Sequence, residues 1–184
     1  MTTKIFKLLS LLALLLTYGW MLSNRVWEPK IGLVASLISF LAFEIKEDLS
    51  KPNASDVKLF EEFLVTLPSD GDIEYIKDYD MAGPIERDRL KQLNRFYYDW
   101  DNAEHEFIDR KLEKKRKQLF KSITLFFEAY GKYTFSTGDR FQRVPPEWQG
   151  DHPQKHREAV ELLNDRAESI FILHQTFIRV AQRN

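Results

Sequence analysis

Two apolar segments near the start of the chain constrain its structure more than any other feature of the sequence. Residues 8–22 are 15 consecutive uncharged positions, and residues 31–43 are 13. A membrane-spanning helix needs about 20 mostly apolar residues, so each segment has to include its flanks to reach across a bilayer. Lys7 is the only charge that the first segment takes in, and its long stem can carry that charge to the headgroups. We therefore predict two membrane spans, at about residues 5–24 and 29–46.

Two other arrangements are compatible with the same segments. The first segment can be an uncleaved anchor while the second lies in the membrane interface, or both can be buried helices of a soluble protein. A cleaved signal peptide is disfavoured because residues 17–24 read TYGWMLSN, without a small-residue cleavage site. Hydropathy and the flanking charges favour two spans.

The short link between the two segments predicts how the chain is organised. Eight residues, SNRVWEPK, join them, so two spans form a hairpin and both ends of the chain lie on the same side of the membrane. The part after Lys46 carries 22 basic and 26 acidic side chains, and a short loop crosses a membrane more easily than such a domain. We predict a hairpin at residues 1–46 and a domain at residues 47–184, with both termini in the cytoplasm.

The second segment carries small residues at helical spacing. Gly32 and Ser36 form one pair four residues apart, and Ala35 and Ser39 form another. Such pairs let helices approach closely in lipid, where the hydrophobic effect no longer drives association. This face is predicted either to pack against the first span of the same hairpin or to mediate self-association of several chains.

The rest of the sequence predicts helices. Apolar residues recur at helical spacing over about residues 55–67, then in an ambiguous stretch where Ile73 and Ile76 suggest a short helix ending before Gly83, and then over about 90–100, 103–130 and 154–182. Ser55 is the expected N-cap of the first of these helices, and Gly131 the expected end of the fourth. Residues 134–153 hold two glycines and three prolines and are predicted to be irregular. The predicted fold class is all-α: an N-terminal two-helix transmembrane hairpin followed by a compact helical bundle.

A dense run of basic residues lies in the predicted long helix. Residues 109–121 hold seven of them: Arg110, Lys111, Lys114, Lys115, Arg116, Lys117 and Lys121. Four of these, Lys111, Lys114, Lys115 and Arg116, are our candidates for contact with a partner or with anionic lipid, since a basic side chain near an acidic leaflet contributes about 1 kcal/mol. The alternative is a solvated helix face, neutralised by the pairs Glu106–Arg110 and Glu113–Lys117.

Trp148 is a further candidate contact residue. It follows Pro145 and Pro146 in the predicted irregular region, and tryptophan is enriched at the energetic centres of protein interfaces. The simpler interpretation, which we favour, is that Trp148 packs this region onto the bundle.

The sequence carries no signature of an enzyme. There is no cysteine, no G-x-S-x-G, no Walker A motif and no G-x-G-x-x-G. His152 and His156 are four apart, but Pro153 lies between them, so two surface histidines are favoured over a zinc site. His174 falls on an apolar helical face and is predicted to be a core histidine. We predict a protein that is not an enzyme and binds neither a cofactor nor a metal.

The arrangement as a whole resembles the two-transmembrane effectors of bacterial antiphage defence systems, including those encoded beside retrons. The features that carry the resemblance are the segment at 8–22, the link SNRVWEPK, the segment at 31–43 and the helical domain that follows. It implies a toxin-like protein of the bacterial inner membrane that a partner complex, such as a defence ribonucleoprotein, keeps inactive. Release on infection would disrupt the membrane and cause abortive infection.

A second interpretation belongs to a different class of protein. The hairpin can simply tether a helical adaptor or binding module to the membrane, without toxicity. In both interpretations the lipid bilayer is a partner and no sequence-specific binding of nucleic acid is expected.

Overall fold

The computed structural model describes residues 53–138 and 140–183, together with seven residues nearer the start: Leu12, Leu15, Leu16, Tyr18, Gly19, Leu37 and Ile38. The chain divides into two compact units, Met1–Lys51 and Pro52–Asn184. All seven described residues of the first unit are helical. Among the described residues, no helix has the length and hydropathy needed to cross a membrane. The rest of the two predicted spans, including Gly32, Ala35, Ser36 and Ser39, lies outside the described residues.

The second unit is mostly helical, as predicted. Its helices are α1 (Ala54–Thr66), α2 (Asp72–Asp78), α3 (Lys91–Asp99), α4 (Arg110–Tyr133), α5 (Trp148–Asp151) and α6 (Pro153–Ala181). Two short 3-10 helices, Arg87–Leu90 and Ala103–His105, precede α3 and α4. Three short strands complete the unit: β1 (Ile85–Glu86), β2 (Phe135–Ser136) and β3 (Phe141–Arg143).

The ends of two helices differ from those that the sequence predicts. Asn53 rather than Ser55 caps α1, because its side chain accepts a hydrogen bond from the Ser55 N–H at 2.9 Å. The predicted helix over 103–130 is interrupted, since Asp109 caps a new helix by accepting hydrogen bonds from two backbone N–H groups of its first turn. That helix, α4, continues through Gly131 and ends at Tyr133. Nothing lies within 4 Å of where a side chain on Gly131 would begin, so a larger residue would also fit at this position.

The region predicted to be irregular contains regular structure. The three strands form an antiparallel sheet in the order β1-β3-β2. Ile85 is paired with Gln142 and Phe135 with Arg143, so the sheet joins the segment before α3 to the segment after α4. Gly138 lies between β2 and β3 and has a φ of +123°. Residues other than glycine rarely adopt this conformation. The sheet is too short for alternating hydrophobicity to reveal it.

The core is organised around the ring of Phe63 in α1. Aromatic rings from α3, from the residue that follows it and from α6 surround Phe63, with centroid distances from 4.6 to 5.7 Å to Phe96, Trp100, His174 and Phe177. These contacts bury Phe63 completely and tie the first helix of the unit to the last. Pairs of aromatic rings at these distances add stability beyond the area that they bury.

The most extensive helix packing joins α4 to α6. The buried apolar residues of these two helices are Leu112, Leu119, Ile123, Phe126, Ala129, Ala159, Leu163, Ala167, Ile170 and Phe177. His174 lies in the same interior, fully buried, and its Nε2 is 2.8 Å from the carbonyl oxygen of Leu67. The carbonyl can only accept, so Nε2 carries the hydrogen. The prediction that His174 is a core histidine is confirmed.

Candidate functional site

Four basic residues of α4 form one exposed strip along the helix. Arg110, Lys114, Lys117 and Lys121 recur at intervals of four, three and four residues, which places them on the same face. All four are exposed. We call this set the basic strip. With Phe107, Glu113 and Gln118 it lines a shallow groove of about 490 Å³.

The basic strip is only partly neutralised. Lys117 lies 3.2 Å from the carboxylates of both Glu106 and Glu113, and these two acids raise its pKa. Arg110, Lys114 and Lys121 form no ion pair with any residue of 53–138 or 140–183. The predicted pair Glu113–Lys117 is therefore confirmed, whereas Glu106 pairs with Lys117 and not with Arg110.

A carboxylate near the start of α1 holds the beginning of α4 in place. Asp56 is buried, and its two oxygens accept hydrogen bonds at 2.8 Å from the backbone N–H groups of Ile108 and Asp109. The same residue thus satisfies two donors ahead of α4 and fixes that helix against the first turn of α1. We refer to this arrangement as the Asp56 clamp.

Exposed apolar side chains lie on either side of the Asp56 clamp. Ile108, which donates to Asp56, is 63 % exposed, and Val57, which follows Asp56, is 46 % exposed. Ile108 and Val57 therefore present aliphatic side chains at the surface near the start of α4.

The prediction for Arg116 needs correction, because this residue lies in the interior and is only 2 % exposed. Its guanidinium donates to both carboxylate oxygens of Glu113 and to the carbonyl of Trp100. Burial raises the pKa of Glu113, but hydrogen bonds from Arg116 and from the N–H of Phe107 outweigh it and hold the pKa below its ordinary value. Arg116 is thus excluded from any surface that contacts lipid or a partner.

The other predicted contact residues have different surroundings. Lys111 is exposed. Lys115 is half-buried, and its Nζ donates to Gln118 at 3.1 Å. Both lysines lie on a different side of α4 from the basic strip. Trp148 is half-buried, with the Nζ of Lys155 3.6 Å from its ring centroid and the ring of Phe135 at 6.1 Å. This packing agrees with the simpler interpretation of Trp148.

The histidine pair does not form a metal site in the part of the chain that the structure describes, where no group of potential ligands is suitably placed. His152 is exposed and precedes α6, whereas His156 is buried rather than on the surface.

An aromatic pocket of about 410 Å³ was not predicted. It is lined by Arg87, Leu90, Asn94, Tyr97, Tyr98, Phe127, Glu128, Tyr130 and Gln142. The hydroxyl of Tyr130 is buried and has no hydrogen-bond partner among the described residues. The lining residues come from one 3-10 helix, two α-helices and one strand, so no spacing in the sequence reveals them.

Comparison with known proteins identifies no relative. The chain matches no family model, and no curated protein or solved structure is significantly similar to it.

Proposed function

We propose that this protein is an inner-membrane effector of a bacterial antiphage defence system. The segments at 5–24 and 29–46 form a membrane hairpin with both termini of the chain in the cytoplasm, and the helical unit that follows controls it. When its partner complex releases it, the hairpin disrupts the membrane and causes abortive infection. Its activity is toxin-like and not enzymatic.

The observation that carries this proposal is the exposure of apolar helical residues within both segments. In the first, Leu12, Leu15 and Leu16 are helical and between 54 % and 67 % exposed. In the second, Leu37 and Ile38 are helical and 44 % and 61 % exposed. Helices with aliphatic side chains turned outward are stable where the surroundings are themselves apolar, as in the bilayer core.

The basic strip supports a role for the membrane surface as well. Three of its four residues, Arg110, Lys114 and Lys121, are exposed and form no ion pair among the described residues. Basic side chains of this kind are attracted to an acidic leaflet. We propose that the basic strip rests on the acidic inner leaflet and restrains the hairpin.

The first experiment measures the inner-membrane potential with a voltage-sensitive dye. Bacteria express either the full chain or residues 47–184, each with a tag that confirms accumulation. We expect loss of potential and growth arrest with the full chain only. If the full chain accumulates in the membrane and the potential is unchanged, the measurement is repeated during phage infection with the native gene neighbours present. An unchanged potential there too would leave the tethered adaptor as the better interpretation.

A second experiment tests the role of the basic strip. The full chain carrying Arg110→Gln, Lys114→Gln and Lys121→Gln is compared with a matched variant, Lys132→Gln, Arg157→Gln and Arg179→Gln, which removes the same charge from exposed positions elsewhere. Hydrogen exchange of α4 is measured in nanodiscs of phosphatidylglycerol and of phosphatidylcholine. We expect protection of α4 in the acidic lipid only, and loss of that protection only in the basic-strip variant. Equal exchange in both lipids would refute lipid contact and leave the hairpin proposal standing.

A further inference from the structure

We propose that the pocket around Tyr130 binds a small molecule that combines a flat aromatic ring with one anionic group. The pocket is formed by the 3-10 helix Arg87–Leu90, α3, α4 and β3. Its volume of about 410 Å³ lies within the range of small-ligand sites, which begins at about 300 Å³. This inference is independent of the proposed action of the hairpin.

The first argument is the hydroxyl of Tyr130, which has no hydrogen-bond partner among the described residues. Buried polar side chains are nearly always hydrogen-bonded, so an unpaired one calls for a partner from outside the chain. Burial raises the pKa of this phenol to about 12, against the opposing charge of Arg87. The hydroxyl is therefore protonated at neutral pH and has a hydrogen to donate to an anion.

Arg87 supplies positive charge on the same side of the pocket. One of its terminal nitrogens donates to Ser136 Oγ at 3.0 Å, and a guanidinium has five N–H donors in all. The remaining donors suit a carboxylate or a phosphate, which guanidinium groups bind with two parallel hydrogen bonds. Glu128 also lines the pocket, but it is exposed and forms no ion pair with Arg87 among the described residues.

The other walls suit an aromatic ring. Tyr97 contacts Phe127 and Tyr98, with ring centroids 5.4 and 5.0 Å apart, and Tyr98 is 76 % exposed. Stacking on such rings is favourable for any flat π-system. An exposed tyrosine beside a cluster of aromatic rings gives a ligand a surface to cover.

Two amide side chains provide polar contacts near the rings. Asn94 donates through Nδ2 to the carbonyl of Leu90 at 2.9 Å, which leaves its Oδ1 as an acceptor. Gln142 uses one of its two polar groups on Thr134 Oγ1, 3.0 Å away. The remaining amide groups can form hydrogen bonds with the edge of a heteroaromatic ring. Nucleoside monophosphates and aromatic carboxylates both combine an aromatic ring with an anionic group, so these are the two classes of ligand to compare.

The test is isothermal titration of the full chain in nanodiscs. One arm uses the four common nucleoside monophosphates, and the other uses indole-3-acetate. Adenosine provides the aromatic ring without an anionic group, and ribose 5-phosphate provides the anionic group without an aromatic ring. We expect binding in one arm, and binding at least about tenfold weaker for either half alone, since one lost charge-assisted contact has about this effect.

Variants assign the binding to the pocket. Arg87→Gln and Tyr130→Phe are each expected to weaken binding about tenfold or more. The matched controls are Arg89→Gln in the same 3-10 helix and Tyr133→Phe in α4, neither of which lines the pocket. These are expected to bind as the unaltered chain does. If no compound of either arm binds, or if Arg87→Gln and Tyr130→Phe bind normally, the inference is overturned and the hydroxyl of Tyr130 is paired by water.

Discussion

The guanidinium of Arg116 and the carboxylate of Glu113 are joined by two hydrogen bonds, from Nε at 2.9 Å and from a terminal nitrogen at 2.7 Å. A third hydrogen bond, 2.6 Å long, runs from Arg116 to the carbonyl oxygen of Trp100. The pair thus connects α4 to the residue that follows α3. Two charges withdrawn from water stabilise a protein only while both are present and fully hydrogen-bonded.

Replacement of Arg116 is expected to destabilise the helical unit strongly. Arg116→Met removes two hydrogen bonds from the half-buried Glu113 carboxylate, which keeps only Lys117 and the N–H of Phe107, and takes the Arg116 donor from the Trp100 carbonyl. We expect this to cost about 3 kcal/mol in the free energy of unfolding. Urea unfolding followed by circular dichroism measures the loss. Lys114→Met, on the exposed side of the same helix, is the control and is expected to change stability by less than about 0.5 kcal/mol. Equal effects of the two variants would contradict a structural role for Arg116.

His174 makes stability depend on pH. Burial lowers the pKa of His174 below its ordinary value of 6.5, while its hydrogen bond to Leu67 opposes the shift. Below pH 6.5 the unfolded chain takes up a proton that the folded chain does not. The free energy of unfolding therefore decreases as the pH is lowered, by at most about 1.4 kcal/mol per pH unit. The decrease ends once the pH is below the folded-state pKa.

The measurement for His174 is urea unfolding at several pH values between 5 and 8. His174→Gln removes the titrating group while its amide can still donate to Leu67, so we expect a flatter profile. His152→Gln alters an exposed histidine and is expected to leave the profile unchanged. A profile that is the same in all three proteins would assign the pH dependence to other groups.

The Asp56 clamp is expected to control the order of the first turn of α4. Asp56→Ala removes both acceptors from the N–H groups of Ile108 and Asp109, which costs about 2 kcal/mol when donors are left partly buried without partners. Hydrogen exchange at residues 107–112 should become faster, while exchange in α6 follows only the global loss of stability. Asp165→Ala, an exposed acid on α6, serves as the control.

Gly138 is expected to tolerate no side chain without cost. Its φ of +123° is strained for alanine, so Gly138→Ala should lower the free energy of unfolding by about 1 kcal/mol or more. Gly131→Ala is the matched comparison, because Gly131 lies inside α4 with open space around it. Alanine there improves helix propensity and should stabilise the unit by up to about 1 kcal/mol. Destabilisation by both substitutions would contradict this account.

Local sequence patterns account for most of the helices but not for their boundaries. The spacing of Leu163, Ala167 and Ile170 predicts α6, which begins at Pro153, one residue before the predicted start. The interruption before α4 combines a local cap, Asp109, with hydrogen bonds to Asp56, which is more than 50 residues away in the sequence. Likewise, Gly131 is a plausible helix end by composition alone, but the helix continues to Tyr133 and the N–H of Thr134 closes it on the Tyr130 carbonyl.

The same difference between local sequence pattern and tertiary contact applies to the surface residues. A basic run is visible in the sequence, but helical geometry and burial decide which of its side chains reach the surface. Lys114 is exposed, whereas Arg116, two positions later, is in the interior. The aromatic pocket has no signal in the sequence. Arg87, Tyr130 and Gln142 are far apart in the chain and come together in the folded structure, where β1 pairs with β3.

The position of α6 has a consequence for biosynthesis. This helix supplies Phe177 and His174 to the rings around Phe63, and it covers α4 along much of its length. Until the ribosome has made α6, the apolar faces of α1 and α4 lack one of their main packing partners. The two apolar segments are made before the helical unit, and in the function that we propose they reach the insertion machinery while that unit is still unfolded. We therefore expect membrane insertion to precede closure of the core, and chaperones to protect the nascent domain in the interval.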